Sequence, residues 1–182
     1  MGRPIKKRLF GTDNVNDGLV YNEAGGEGVA SVTTTTAGSL YSKGISATVA
    51  NSPIGGTRAT ISSLTTNGSG ALLVATVGTA GSGYITAPAI TIVKPANVTV
   101  VGGTINGSTM VVSTVVGLFI GMTANAAFNS STTITAIYTA NTSVLMSAGN
   151  TAPVTGTVIS FGDSGTSGVL TAVLAATTTS AN

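Results

Sequence analysis

"GTAGSGYITAPAITIV" occupies residues 78–93, and an echo of it, "TTAGSLYSKGISATV", occupies residues 35–49. Superposing Ala37-Gly38-Ser39-Leu40-Tyr41 on Ala80-Gly81-Ser82-Gly83-Tyr84 brings Thr48-Val49 onto Thr91-Ile92. Glycines ahead of a tyrosine let the backbone turn through positive φ and let the ring fold back over it. Pro88 then imposes an extended approach to the strand-like "AITIV". The element reads as a structural turn with a tyrosine plug, built from Gly81, Gly83, Tyr84 and Pro88, with Tyr41 as the plug of the first copy. A ligand platform is the competing reading. One tyrosine per copy, with no tryptophan or acidic neighbour, is thin for sugar binding.

The composition around this repeat selects β structure. The 182 residues are 42% hydrophobic but only 7% charged, where about a quarter is usual. Thr and Val, branched at Cβ, suit a pleated sheet better than a helix. Short strand candidates follow one another between turn signals. In the first half they are Val29–Thr34, Ile45–Val49, Thr57–Leu64, Leu72–Val77 and Ala89–Val93. In the second half they are Val98–Val100, Met110–Thr114, Thr132–Tyr138, Ser143–Met146 and Val154–Phe161. Asn/Gly/Pro clusters at 51–56, 67–70, 93–97, 106–108 and 149–153 separate them. Only Leu118–Phe128 offers a helical turn, and Gly121 weakens it. The fold class expected is all-β, with short antiparallel strands in one or two β-sandwich or small-barrel modules and an extended N-terminal arm.

Four segments follow: a basic arm over 1–22, a β module with two related units over 23–95, a second β module over 96–162, and a C-terminal tail over 163–182. The longest apolar run, Val115 to Met122, is far short of the ~18–20 residues that span a bilayer. The basic start lacks the apolar core of a signal peptide. Accumulation in the cytoplasm of the producing cell is expected, with no membrane partner.

Catalysis finds little to work with. There is no Cys and no His, so the commonest general base and metal ligand are missing. No carboxylate pair falls inside the body, and Ser or Thr without a base is not an activated nucleophile. No phosphate-binding GxxxxGK[ST] motif occurs. "DNVNDG" (13–18) fails as a calcium loop, because Val15 and Ala24 fall where ligands are required. No enzyme, no cofactor and no metal are expected.

Charge is distributed unevenly. Arg3, Lys6, Lys7 and Arg8 fall within eight residues, followed by Phe10, and beyond Glu27 only Lys43, Arg58, Lys94 and Asp163 are charged. A body this neutral is hard to keep soluble alone and suits packing against neighbours, its own copies included. The arm reads as a docking segment, a solvated tail or a phosphate binder. Without interleaved aromatics, nucleic acid is the weakest of the three.

Three stretches carry a resemblance. "PIGGTRATISS" (53–63) followed by "NGSGALLVATVGTAGSGYITAPAITI" (67–92) resembles a unit that recurs in virion structural proteins of tailed bacteriophages. Its pattern is Pro-x-Gly-Gly-x-x-Ala-Thr, then Gly-Ser-Gly-Tyr-x-x-x-Pro-x-(Val/Ile)-Thr-(Val/Ile). The first copy departs from it, since Leu40 replaces the second glycine. "GLFIGMTANAAFNSSTTITAI" (117–137) with "SVLMS" (143–147) is similar to a second module of such proteins, though its loop lacks their further Gly and Pro. "MGRPIKKRLFG" (1–11) looks like the opening of small structural proteins from phages of marine bacteria. The resemblance implies a multi-copy capsid decoration or cement protein on the virion surface. Its implied partners are the major capsid protein or other virion proteins, contacted through Arg3, Lys6, Lys7, Arg8 and Phe10. A tail, neck or fibre component and a carbohydrate-binding module using Tyr41, Tyr84 and Tyr138 are the alternatives.

Overall fold

The computed structural model describes residues 27–52 and 55–175. Among the described residues there is no helix, and every strand pairing is antiparallel. The expectation of an all-β protein therefore holds. The basic arm lies outside the described residues.

The first barrel uses β1 (Val29–Thr36), β2 (Ser46–Val49), β3 (Thr60–Thr66), β4 (Leu72–Thr79), β5 (Ile90–Val93) and β12 (Val169–Leu174). Four of them form a sheet in the order β4-β3-β2-β5, and β1 pairs with β12. The two sheets meet at both edges. An Ala89–Thr171 bridge ties β5 to β12. Val29 N–H donates to the Ala80 carbonyl (2.7 Å) and Leu72 N–H to the Ala37 carbonyl (2.8 Å), tying β1 to β4. Closure removes the free edges that otherwise invite edge-to-edge association. Val29, Val49, Ala59, Tyr84 and Ala172 fill one end of the interior. Tyr41, Ile45, Leu72, Ala75 and Leu170 fill the other.

This barrel is two copies of one three-strand unit, strand–AGSxY–strand–strand, interlocked about a pseudo-two-fold axis. β1 and β4 are 43 residues apart at both ends. Across the axis, Thr48 pairs with its own equivalent, Thr91. The third strands are β3 and β12, and their pairings match. Thr60 and Ile61 face Thr79 and Val77, while Val169 and Leu170 face Thr36 and Thr34. The same bulge thus recurs at Gly78 and Thr35. Between β5 and β12 the offset jumps from 43 to 109, because the second barrel is inserted there.

Two expectations are corrected. The related units are not confined to 23–95, since the second is completed by β12. The expected tail over 163–182 contains that strand: "VLTAVL" alternates buried Leu170 and Ala172 with exposed Val169, Thr171 and Val173. Its partner β1 is so distant in sequence that no local turn signal announces the pairing.

The second barrel uses β6 (Val98–Asn106), β7 (Thr109–Val112), β8 (Thr123–Ala124), β9 (Ile134–Tyr138), β10 (Ser143–Met146) and β11 (Val158–Gly162), in the order β8-β11-β6-β7-β10-β9. A Thr123–Thr133 bridge closes the ring between β8 and β9. β6 serves two neighbours, pairing with β11 over Val98–Val101 and with β7 over Gly102–Asn106. It turns the corner at Gly102, where a Cβ would lie 2.5 Å from the Val154 carbonyl oxygen. Met110, Met122, Met146, Ile134, Ile159 and Phe161 fill the core. Leu118–Phe128 holds no helical turn: Gly121 (φ 92°) and Ala127 (φ 60°) break right-handed continuity, and β8 forms between them. Those reversals let Leu118 and Met122 point inward from successive turns.

Candidate functional site

The tyrosine elements come first. Thr57 N–H donates to Ser82 Oγ (3.1 Å), and Ser82 N–H donates to the Thr57 carbonyl (2.9 Å). Tyr84 is 1% exposed. Its hydroxyl accepts from Ala59 N–H (2.9 Å) and donates to the Ala50 carbonyl (3.0 Å). Gly56 is required because a Cβ there would lie 2.1 Å from the Ser82 carbonyl oxygen. The Gly-Gly-x-x-Ala-Thr and Gly-Ser-Gly-Tyr pieces, 25 residues apart, are thus two halves of one joint. Pro88 is half-buried, directly ahead of the Ala89 bridge.

The other end repeats this joint. Ser39 and Thr166 exchange backbone hydrogen bonds (3.2 and 3.0 Å), and Gly168 N–H donates to the Tyr41 hydroxyl (3.1 Å). "GTSGV" (165–169) is therefore the counterpart of "GTRAT" (56–60). That short Gly-Thr echo is the signal that could have exposed the third strand from sequence. Gly38 and Leu40 hold φ values of 61° and 64°, matching 67° and 83° at Gly81 and Gly83. Leu40 keeps the turn of the glycine it replaces, at a cost of roughly 1–2 kcal/mol. The copy has diverged in sequence and not in backbone.

Tyr41 and Tyr84 are both buried, so neither ring is open to a sugar. Of the three tyrosines proposed for a glycan, Tyr138 alone is exposed, at the end of β9.

The barrels meet at the Tyr41 end. Asp163 is the clamp: one carboxylate oxygen accepts from Ser42 N–H (2.6 Å) and the other from Gly165 N–H (2.8 Å). Lys43 N–H donates to the Ile120 carbonyl (2.8 Å). The Phe119 ring lies over Gly44, where a Cβ would approach it to 2.3 Å. Beside this junction opens a cleft of about 410 Å³, lined among others by Leu40, Lys43, Asn67–Gly70, Ile120, Ser131 and Thr133–Thr135. Lys43 is its one charged group.

The outer wall of the first barrel offers a different surface. Thr79, Thr60, Thr48 and Thr91 are successive cross-strand neighbours, and all four are exposed. The Ala89–Thr171 bridge places Val169 next in the row, and Val169 pairs with Thr36. This belt of hydroxyls and methyls carries no charge. Another exposed apolar strip, on the second barrel, is the Val101–Val158 pair.

No described grouping of His, Cys, Asp or Glu could hold a metal ion. Asp163 is engaged by backbone amides, and no second carboxylate faces it among its hydrogen-bond partners. The arm residues Arg3, Lys6, Lys7, Arg8 and Phe10 lie outside the described residues. No helix of the described residues is long and apolar enough to cross a membrane. Comparison with protein families, curated proteins and solved structures finds no match for the chain.

Proposed function

We propose that this chain is an adhesive structural protein of a tailed-phage virion, present in many copies as a capsid decoration or cement protein. The observation that carries the reading is the nearly uncharged outer surface. Among the described residues only Glu27, Lys43, Arg58, Lys94 and Asp163 are charged, and Asp163 is committed to the junction. A Thr/Val belt loses little on being covered, because no ion must be stripped of water. Weak contacts of this kind gain strength by repetition over a symmetric lattice. Both rings are closed, so association proceeds through faces and not through strand edges. The basic arm supplies the directional contact, with Arg3, Lys6, Lys7 and Arg8 against acidic groups of the shell.

The test is direct. Purified protein is mixed with shells that lack it, and the shells are recovered by sedimentation. Stoichiometric co-sedimentation and a raised shell melting temperature support the proposal, and deletion of residues 1–11 weakens both. Protein that stays in the supernatant at saturating concentration refutes it.

A further inference from the structure

Glycine follows asparagine at two places in the chain, Asn67-Gly68 and Asn106-Gly107, and serine comes next in both. This pairing permits a reaction that needs no catalyst. The glycine nitrogen, after losing its proton, attacks the asparagine Cγ, and no Cβ on the glycine obstructs the approach. The new N–Cγ bond closes a succinimide ring, the Cγ–Nδ2 bond breaks, and Nδ2 leaves with a proton as ammonia. Water then opens the ring at either carbonyl, leaving aspartate or isoaspartate.

The surroundings of the two glycines are alike. At both places the asparagine and the glycine are exposed, and a Cβ on either glycine would meet nothing within 4 Å. Each asparagine backbone is tied across a turn: Asn67 N–H donates to the Ala71 carbonyl (2.9 Å), and Asn106 pairs with Thr109. The side chains differ. Asn67 Oδ1 accepts from Ser69 N–H (3.0 Å), Ser69 Oγ (2.8 Å) and Ala71 N–H (2.9 Å). That amide is the hub of the turn between β3 and β4, and it cannot swing toward Gly68 without releasing its donors. Asn106 ends β6 exposed, and among the described residues its side chain makes no hydrogen bond.

We propose that Asn106 is a site of spontaneous deamidation, and that Asn67, in the same tripeptide, is protected by its turn. The place of the product gives it weight. From Val98 to Gly162 the sequence holds no Asp, Glu, Lys or Arg, so the new carboxylate is the first charge within the second barrel. Isoaspartate also adds a methylene to the backbone where Asn106 faces Thr109, next to the pair formed by Ile105 and the buried Met110. Each molecule therefore carries a mark of its age on a surface that begins neutral. The proposal stands whether or not the protein belongs to a virion.

The test uses the full-length chain, incubated in mildly alkaline buffer at physiological temperature. Peptide mapping with fragmentation mass spectrometry assigns each conversion of amide to acid to its residue. In the folded protein Asn106 should convert about tenfold faster or more than Asn67, a ratio set by the hydrogen bonds that Asn67 must first break. In urea the two rates should converge, because the tripeptides are the same. Ser69→Ala removes one donor and should raise the Asn67 rate while leaving Asn106 as it was. Equal rates in the folded protein, a faster Asn67, or a Ser69→Ala chain whose Asn67 is no faster overturns the proposal. So does an Asn106 that stays intact over the time in which the unfolded chain converts.

Discussion

Replacing Tyr84 by Phe removes one oxygen atom and leaves two backbone groups without their partner. The hydroxyl satisfies the Ala59 N–H at 2.9 Å and the Ala50 carbonyl at 3.0 Å. Ala59 is 1% exposed, so its amide cannot turn to water. An orphaned buried donor costs about 1–3 kcal/mol, and loss of the second bond adds roughly 0.5–1.5 kcal/mol. Tyr84→Phe should therefore destabilise by about 2–4 kcal/mol. Its pseudo-symmetric partner is the control. The Tyr41 hydroxyl accepts one hydrogen bond, from the half-buried Gly168 amide. Tyr41→Phe should cost about 1 kcal/mol. Urea unfolding followed by far-ultraviolet circular dichroism, with unchanged m-values, gives both numbers. Each variant keeps its own ring and the contacts of that ring, so each loss reports the hydrogen bonds of its hydroxyl. Equal losses, or a larger loss at Tyr41, would refute the argument that the Tyr84 joint is held by its hydroxyl.

Asp163→Ala strips the Ser42 and Gly165 amides of their acceptor, and Ser42 is fully buried. A loss of about 2–4 kcal/mol is expected, with amide exchange rising at residues 42 and 165 ahead of either barrel core. Gly44→Ala drives a methyl into the Phe119 ring and should cost about 1–3 kcal/mol. Adding Phe119→Ala should recover most of that loss in a thermal melt, whereas additive losses would place the strain elsewhere. Thr132 is 1% exposed and its hydroxyl has no partner. Thr132→Val, nearly isosteric, should raise stability by about 1 kcal/mol in urea, and a loss of stability would show that the hydroxyl is satisfied in solution.

Much of the fold is legible in the sequence because its signals are local. Thr/Val alternation and Asn-Gly or Pro punctuation place ten strands near their observed positions. The 43-residue echo is visible because "AGSxY" must meet the same backbone demand twice. Its meaning is not visible, because it lies in who pairs with whom. Thr48 against Thr91 is a pairing between copies and leaves no mark on either strand. β12 was hidden for the same reason, its unit being split by an inserted barrel. β8 was hidden by size, two residues whose extended form depends on β11 and Thr133. Leu40 misleads in the opposite direction: the substitution suggests a degraded turn, yet the surrounding joint holds the left-handed conformation regardless. The candidate surfaces were least legible. Sequence shows that the body lacks charge, but the belt from Thr79 to Thr36 gathers six strands from both units and exists only once the ring closes.

The insertion has a consequence for timing. As the chain leaves the ribosome, the second barrel has all of its strands by Gly162, while the first still lacks β12. The inner module can therefore reach its native state first, leaving a five-stranded sheet with an open gap beside β1 and β5. During that interval the gap presents unpaired backbone of the kind that recruits a foreign strand. Synthesis of the final strand is what seals the molecule against aggregation, and a message truncated shortly before Val169 should yield inclusion bodies in place of a shortened soluble product.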